Sequence, residues 1–399
     1  MEITAPGGDL EKIQYAISYG ADAVYCGFNL FGLRAAARNL DYDDLTRAIA
    51  YAHENDARLY LTLNAYLKNQ DYPALRDFLS WLKTTDIDAV IVSDPGVFQE
   101  VKKHTDIPIH ISTQTNVISV EAARFWHEQG AKRIVGAREL TFAEMLEIKE
   151  QLPELELECF IHGAMCIAYS GRCLLSAYLN DRSANSGACT QVCRWDWALT
   201  EESRPGEYFP IEEDQYGTHI LSSKDMSVLN YIPLLSKSGI DAGKIEGRMK
   251  SLYYVAQTTR IYKAALSAKE GDRELWELLN KELYRVSHRP YWEGFYGFSE
   301  ERGVVEKDCK QDYYSDCDYC GKIISHEDGT IFFDCLAKVS VGDTISIIQA
   351  DPMQDFEVSL SKIYDEERNS VDFCKPNQRY YIDCDIPSSK RGLIRKCVN

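Results

Sequence analysis

The feature that most constrains the fold is a regular alternation of two residue patterns that begins at the first residue. Short apolar runs rich in β-forming residues alternate with helical patterns of roughly 10 to 15 residues, which is typical of parallel βαβ units. The eight strands predicted before residue 250 are Glu2 to Ala5, Ala23 to Gly27, Arg58 to Asn64, Ala89 to Ser93, Ile109 to Ser112, Arg133 to Val135, Glu156 to His162 and Ala242 to Glu246.

Helices are predicted between these strands, because apolar residues recur there at helical spacing. Asp9 opens the first helix and Gly20 ends it. The later helices are predicted at Asp41 to Asn55, Pro73 to Lys83, Gly96 to Lys103, Val120 to Gln129, Thr141 to Leu152, Lys224 to Ser238 and Ser251 to Glu270. Strict alternation favours a closed (β/α)8 TIM-like barrel, while a doubly wound open sheet remains the alternative.

Two regions depart from this alternation. Residues 163–222 form a long insertion rich in Cys, Gly, Ser, Asn and Arg after the seventh strand, where barrel loops usually span about 2 to 6 residues. After about residue 290 the pattern changes to short strands with turns, which predicts a small C-terminal β-barrel domain. The predicted domains are therefore 1–290 and 291–399.

Composition restricts the setting and the partners. The chain opens without a basic segment or an apolar signal core, and no apolar run approaches the roughly 20 residues of a membrane span, so we expect a cytoplasmic protein that does not enter a membrane. Thirteen cysteines in a reducing compartment point to metal binding or catalysis. A net charge of -18 argues against nucleic-acid binding through bulk attraction, so any RNA site must be a local basic patch.

Four cysteines in the insertion have the spacing of a metal site. Cys166, Cys173, Cys189 and Cys193 form the pattern Cys-x6-Cys-x15-Cys-x3-Cys. Four thiolates suit a 4Fe-4S cluster or a tetrahedral zinc ion. Structural zinc prefers two tight pairs, and only the second pair is tight here, which favours the cluster without excluding zinc or unligated thiols.

The same region resembles a known family, peptidase U32. The stretches from Glu158 to Cys166 and from Gly171 to Ser176 match the family signature at every specified position. Further similar stretches are Ala5 to Gly8, Gly20 to Tyr25, Ser93 to Gly96, Ser112 to Asn116, Arg138 to Leu140, Gly187 to Cys189, Cys193 to Trp195, Ser223 to Asp225 and Lys244 to Arg248. The resemblance covers the first 270 residues and is strongest to members that hydroxylate tRNA.

This resemblance implies a specific chemistry. Family members of that type install a hydroxyl group at carbon 5 of the wobble uridine, use prephenate as co-substrate and carry a 4Fe-4S cluster. The four insertion cysteines would then be the cluster ligands, and tRNA would be the macromolecular substrate. Some relatives work in pairs, so a paralogous subunit is a further expected partner.

Polar residues at the carboxyl ends of barrel strands are the candidates for the active site. That set is Asn64, Asp94, Gln114, Arg138, Glu139, His162, Glu246 and Arg248. Arginine forks suit the two carboxylates of prephenate, so Arg138 and Arg248 are the first choices for substrate binding, with Arg34 and Arg172 in reserve. Asn64 and Gln114 complete the predicted substrate site. His162 and Glu246 are the acid-base candidates, and the alternatives are a core histidine and a rim salt bridge between Arg248 and Glu246.

The remaining predictions concern RNA contacts and the other cysteines. The basic RNA candidates are Arg172, Arg182, Arg194, Lys250, Lys390, Arg391, Arg395 and Lys396. Tyr169, Tyr178 or Trp195 would stack on the flipped base, although core packing is the more common role of such residues. Cys26 and Cys159 lie on strands and are expected to be small buried residues. Cys309, Cys317, Cys320 and Cys335 are a weaker candidate for a second metal site, since strand patterns surround two of them.

Three other functions remain open at this stage. The family label implies a peptidase, but the chain has no His-Glu-x-x-His helix and no Gly-x-Ser-x-Gly elbow. A non-catalytic iron-sulfur subunit is the second. A hydroxylase of ribosomal RNA cytidine or of a ubiquinone precursor is the third, and the Cys189 to Trp195 stretch with the C-terminal domain favours tRNA over these substrates.

Overall fold

The computed structural model describes residues 1–32, 39–165, 199–200, 208–209, 212–214, 217–219, 224–269, 271–298 and 315–397. Contacts divide the chain into two compact units. The first contains residues 1–17, 21–250 and 289–313, and the second contains residues 18–20, 251–288 and 314–399.

The first unit contains the predicted closed barrel. Its parallel strands are β1 (Glu2–Gly7), β2 (Ala23–Gly27), β3 (Arg58–Leu63), β4 (Ala89–Val92), β5 (Ile109–Ile111), β6 (Arg133–Val135), β7 (Glu156–Ala164) and β9 (Ala242–Ile245). Each strand pairs with the next one in the chain order of this list, and β9 pairs with both β1 and β7. This double pairing closes the sheet and rules out the doubly wound alternative. The eight predicted strands are confirmed.

The helices of this unit follow the predicted start and stop signals. They are α1 (Leu10–Ser18), α2 (Tyr42–Glu54), α3 (Tyr72–Leu82), α4 (Pro95–His104), α5 (Val120–Gln129) and α6 (Phe142–Gln151). The Asp41 side chain caps α2, and Thr141 forms a capping box with Glu144 at α6. Gly130 ends α5 in the left-handed conformation at φ 99°, which glycine adopts without a steric cost. Local sequence therefore sets these boundaries.

The prediction of one helix over Lys224 to Ser238 was wrong. The chain first forms a strand, β8 (Asp225–Ser227), and then a 3-10 turn (Leu229–Tyr231) and the short helix α7 (Ile232–Lys237). β8 pairs antiparallel with the end of β7, and β10 (Tyr291–Trp292) pairs with β8. These long-range backbone hydrogen bonds override the helical spacing, and Pro233 suits the first turn of the shorter helix.

The second unit combines two helices with an antiparallel sheet. The predicted helix at Ser251 to Glu270 is present as α8 (Leu252–Ser267), and α9 (Arg273–Tyr284) follows it without having been predicted. The C-terminal residues form a curled sheet with the strand order Phe356–Ser359, Thr344–Ile348, Leu393–Cys397, Cys317–Glu327, Thr330–Cys335, Gln378–Asp383, Ile363–Tyr364 and Ser370–Val371. Its buried face consists mainly of Ile, Phe, Val and Cys side chains.

Candidate active site at the carboxyl end of the barrel

The carboxyl ends of the barrel strands bring several predicted residues to one end of the first unit. His162 lies near the end of β7, Glu246 follows β9 directly, and Arg248 lies in the loop just after it. Asn64 follows β3, while Gln114 and Arg138 lie after β5 and β6. Parallel strands end at the same rim, so residues far apart in sequence share this mouth.

Arg248 is buried in a defined set of contacts. Its side chain is 4% exposed, and its guanidinium donates to Thr62 Oγ1 at 3.1 Å and to Asn39 Oδ1 at 2.8 Å. Gly27 lies against the flat side of the group, because a Cβ added there would lie 2.6 Å from Nη2 and 2.7 Å from Cζ. We call Gly27, Thr62 and Asn39 the Arg248 socket. Its oxygen acceptors are neutral.

Arg138 and Glu246 form the second charged group of the mouth. Arg138 Nη2 lies 3.7 Å from Glu246 Oε2, and its guanidinium carbon lies 4.0 Å from the centre of the Phe160 ring. Tyr25 Oη is 3.4 Å from the same carboxylate oxygen of Glu246. Glu246 thus pairs with Arg138 in the structure.

His162 is buried beside the backbone of Glu246. Its carbonyl oxygen accepts the Glu246 amide at 2.8 Å, and its ring centre lies 5.4 Å from that of Tyr291. The next residue, Gly163, has φ 114°, and a Cβ there would approach the Glu246 carbonyl oxygen to 2.5 Å. Glycine at this position lets β7 pass close to the chain that carries Glu246.

The other predicted mouth residues divide into two groups. Gln114 Oε1 accepts a hydrogen bond from Ser93 Oγ at 3.1 Å, and Asn64 is half-buried at the end of β3. Asp94 has a structural role, because its carboxylate caps α4 by accepting the amides of Gly96 and Val97. Glu139 is half-buried, and burial raises the pKa of its carboxyl group.

The predicted cluster ligands Cys166, Cys173, Cys189 and Cys193 lie outside the described residues, as do Arg34 and Arg172. The structure does describe the approach to the first of them. β7 ends at Ala164, and Met165 is buried immediately before Cys166, so the chain enters the insertion from the carboxyl end of the barrel. The donor chemistry of four thiols fits an iron-sulfur cluster. The described ranges contain no group of three or more His, Cys, Asp or Glu residues suited to a metal ion.

The described cysteines have structural positions. Cys26 and Cys159 are buried as predicted, and burial raises the pKa of each thiol to about 12, which keeps it protonated. Cys317 forms a disulfide with Cys397, so its sulfur is unavailable to the second metal site suggested by Cys317 and Cys320. Cys320 and Cys335 are buried in the C-terminal sheet, and Cys309 lies outside the described residues.

The RNA candidates also need one correction. Arg395 is 1% exposed, and its guanidinium binds Glu282 through contacts of 2.6 and 2.7 Å, so the prediction that it contacts RNA was wrong. Lys396 pairs with Asp343 at 2.8 Å, Arg391 contacts Ser18, and Lys390 is exposed. The remaining candidates in the insertion, Tyr169, Tyr178, Arg182, Arg194 and Trp195, lie outside the described residues.

Sequence reasoning missed three residues that surround the charged groups. Thr62 occupies a buried position between Leu61 and Leu63 near the end of its strand, and this polar interruption was a usable signal. Tyr25 also lies in a buried strand. Asn39 carries no local signal, because the backbone bond from Leu40 N to Gly27 O places it beside Arg248.

Comparison with known proteins agrees with this architecture. The model of peptidase family U32 matches residues 8–306, and that of the U32 C-terminal domain matches residues 315–395. The chain belongs to peptidase family U32. No helix within the described part of this U32 protein is both long and apolar enough to cross a membrane.

Curated relatives of this U32 chain carry names of RNA hydroxylation. It is 33% identical to tRNA hydroxylation protein P1 of Bacillus subtilis over 99% of this chain and 94% of that protein. It is 35% identical to tRNA hydroxylation protein P of Escherichia coli over 74% of each chain. The 23S rRNA 5-hydroxycytidine C2501 synthase of Escherichia coli is 36% identical over 67% of this chain and 39% of its own length.

Proposed function

We infer that this protein hydroxylates tRNA at carbon 5 of the wobble uridine, with prephenate as co-substrate and a 4Fe-4S cluster on Cys166, Cys173, Cys189 and Cys193. The observation that carries the proposal is a pair of buried arginines, Arg138 and Arg248, at the carboxyl end of the barrel. The same end leads into the cysteine insertion. The near full-length similarity to tRNA hydroxylation protein P1 supports RNA as the substrate.

The mouth suits a small dianion. The Arg248 guanidinium is held by hydrogen bonds to Thr62 Oγ1 and Asn39 Oδ1, and an oriented guanidinium suits a planar carboxylate. Arg138 supplies a second guanidinium, stacked on Phe160. The planar guanidinium groups of two arginines suit the two carboxylates of one ligand better than the flexible ammonium groups of lysines would.

Glu246 is the proposed proton-handling group. One of its carboxylate oxygens lies 3.7 Å from Arg138 Nη2 and 3.4 Å from Tyr25 Oη, and these two contacts restrict its position. His162 orients this group through the hydrogen bond between its carbonyl oxygen and the Glu246 amide. An iron-sulfur cluster held by Cys166, Cys173, Cys189 and Cys193 would supply one-electron transfer.

The activity is tested in cells that lack their own wobble-uridine hydroxylase. Wild-type protein should restore 5-hydroxyuridine in tRNA digests measured by mass spectrometry. Arg248→Ala should not restore it, whereas Arg58→Ala should, because Arg58 is an exposed arginine that pairs with Glu2 at the opposite end of the barrel. Unchanged 5-hydroxyuridine in the presence of wild-type protein would reject the proposal.

The cofactor is tested on protein purified without oxygen. About four irons and four sulfides per chain are expected, with little zinc. Cys189→Ala should lose this iron, while the matched variant Cys320→Ala should keep it, since Cys320 is buried in the C-terminal sheet. One zinc ion per chain and no sulfide would identify a structural zinc site instead.

Hydroxylation of ribosomal RNA is the second candidate, because the 23S rRNA 5-hydroxycytidine C2501 synthase is also a relative. The same digests should therefore include ribosomal RNA. A gain of 5-hydroxycytidine there, without 5-hydroxyuridine in tRNA, would replace tRNA by rRNA as the substrate. Cleavage of gelatin by wild-type protein that is lost on mutation would instead revive the peptidase reading.

A further inference from the structure

Backbone contacts at the end of β2 position the three residues of the Arg248 socket. Gly27 and Thr62 are register partners on β2 and β3. Thr62 Oγ1 donates to Cys26 O at 2.9 Å, so its proton is committed and a lone pair of the oxygen faces Arg248 Nη1. Gly27 O accepts the Leu40 amide at 3.0 Å, which sets Asn39 beside Nη2.

We propose that Gly27 and Thr62 are positioning residues that fix the plane and direction of the Arg248 fork, and so set the affinity of the mouth for a carboxylate ligand. Gly27 has no positive φ, so its backbone conformation is open to any residue. The need for glycine there comes from the guanidinium, whose three terminal heavy atoms would lie 2.6 to 2.7 Å from a Cβ. At Gly8 the restriction comes from the backbone instead, because a Cβ there would lie 2.3 Å from the Arg248 carbonyl oxygen.

The chemistry explains why such fixing matters. A bidentate bond between a guanidinium and a carboxylate requires both groups to be coplanar. A freely rotating arginine must lose rotamer freedom when it binds, and that loss reduces affinity. A side chain already held by Thr62 and Asn39 has lost this freedom on folding. The inference rests on the proposed function, since it assigns the carboxylate ligand to the same mouth.

The first test measures coupling by thermal unfolding and needs no ligand. Gly27→Ala should lower the melting temperature by several degrees in the wild-type background. In the Arg248→Ala background the same change should cost little, because the clash is gone. Gly136→Ala is the matched control, since its Cβ would lie 2.6 Å from a Leu140 side-chain carbon and its cost should be equal in both backgrounds. If Gly27→Ala lowered the melting temperature equally in both backgrounds, the proposed coupling between Gly27 and the Arg248 guanidinium would be rejected.

The second test measures prephenate binding by calorimetry. Thr62→Val keeps the side-chain shape and removes the acceptor, so we expect about tenfold weaker binding. The conservative variant Thr62→Ser keeps the hydroxyl acceptor and should therefore retain most of the wild-type affinity for prephenate. The matched control is Thr258→Val, another buried threonine whose hydroxyl bonds a backbone carbonyl, Tyr254 O, and it should lower stability without changing affinity.

The outcomes separate the two proposals. If Thr62→Val binds prephenate as tightly as Thr258→Val while Arg248→Ala does not bind, the positioning role is rejected and the proposed function stands. If the wild-type protein does not bind prephenate, the co-substrate of the proposed function and the ligand part of this inference are both rejected. The unfolding cycle then still decides whether Gly27 and Arg248 are coupled.

Discussion

The two ends of the barrel surround a buried arginine with different partners, carboxylates at the amino end and neutral oxygens at the carboxyl end. Arg133, at the amino end, lies 2.6 Å from Glu2, 2.8 Å from Glu156 and 3.3 Å from Glu158. Lys244 completes this amino-end network with a 2.8 Å contact to Glu158. At the carboxyl end, Arg248 is held by the neutral oxygens of Thr62 and Asn39.

The difference shows where the barrel can bind an anion. A buried charge must be compensated, and the amino end supplies the carboxylates from its own strands. At the carboxyl end, neutral oxygens of Thr62 and Asn39 orient the Arg248 guanidinium. The proposed function has a ligand carboxylate bind at the carboxyl end, where barrel enzymes place their active sites.

The largest effect should come from breaking the amino-end network. Arg133→Met should lower the free energy of unfolding by about 3 to 5 kcal/mol, because it leaves Glu158 buried with fewer positive partners. Arg248→Met should cost less stability and should abolish prephenate binding. Denaturant unfolding of both variants measures the contrast, and equal losses of stability would remove the distinction between the two ends.

Acid should weaken the amino end through His110. Burial, aided by Arg133, lowers the pKa of this imidazole from 6.5 to about 3. Below pH 6.5 the unfolded chain therefore binds a proton at His110 that the folded chain does not bind. The free energy of unfolding decreases as the pH is lowered, on the order of 2 kcal/mol by pH 4.5. His110→Asn should show a flatter stability profile over pH 6.5 to 4.5, and an unchanged slope would refute this origin.

Glu158 should add to the loss of stability at still lower pH. Burial alone would raise the pKa of its carboxyl group, but Lys244 and Arg133 lower it from 4.5 to about 2. Its ionised form therefore stabilises the fold above pH 4.5, and this contribution disappears as the pH falls towards 2. Unfolding curves recorded at closely spaced pH values should show this second phase, and stability that stays constant over this range would contradict it.

The carboxyl end should be sensitive to the shape of its cation. Arg248→Lys keeps the charge but loses the planar fork, so prephenate affinity should fall about tenfold while stability changes little. Arg133→Lys is the matched variant at the amino end and should leave the affinity unchanged. Titration calorimetry on both proteins measures the difference, which would vanish if the mouth recognised charge alone.

The smallest effect should come from removing an exposed lysine that belongs to neither end of the barrel. Lys390 is exposed in the second unit. Lys390→Ala should weaken tRNA binding by about twofold at low salt and reduce the salt dependence of binding slightly, as expected for one phosphate contact. Filter binding at several salt concentrations tests this, and a loss above tenfold would assign RNA recognition mainly to this residue.

Most of the barrel was predictable because its signals are local. Apolar runs and capping residues such as Thr141 set each strand and helix within a residue or two. The prediction failed at Lys224 to Ser238, where pairing with β7 selects a strand. It also failed for Arg395, since nothing near it in the sequence reveals the buried partner Glu282.

The sequence by itself determined the eight-strand alternation, the family and the residue types available at the mouth. Only the tertiary structure decided that Arg133 lies among carboxylates while Arg248 is held by Thr62 and Asn39. Arg133 and Arg248 cannot be told apart by residue type. The partner Glu2 of Arg133 lies 131 residues away in the chain, and the partners Thr62 and Asn39 of Arg248 lie 186 and 209 residues away. Barrel closure brings those partners together, and contacts at such separations leave no periodic trace in the local sequence.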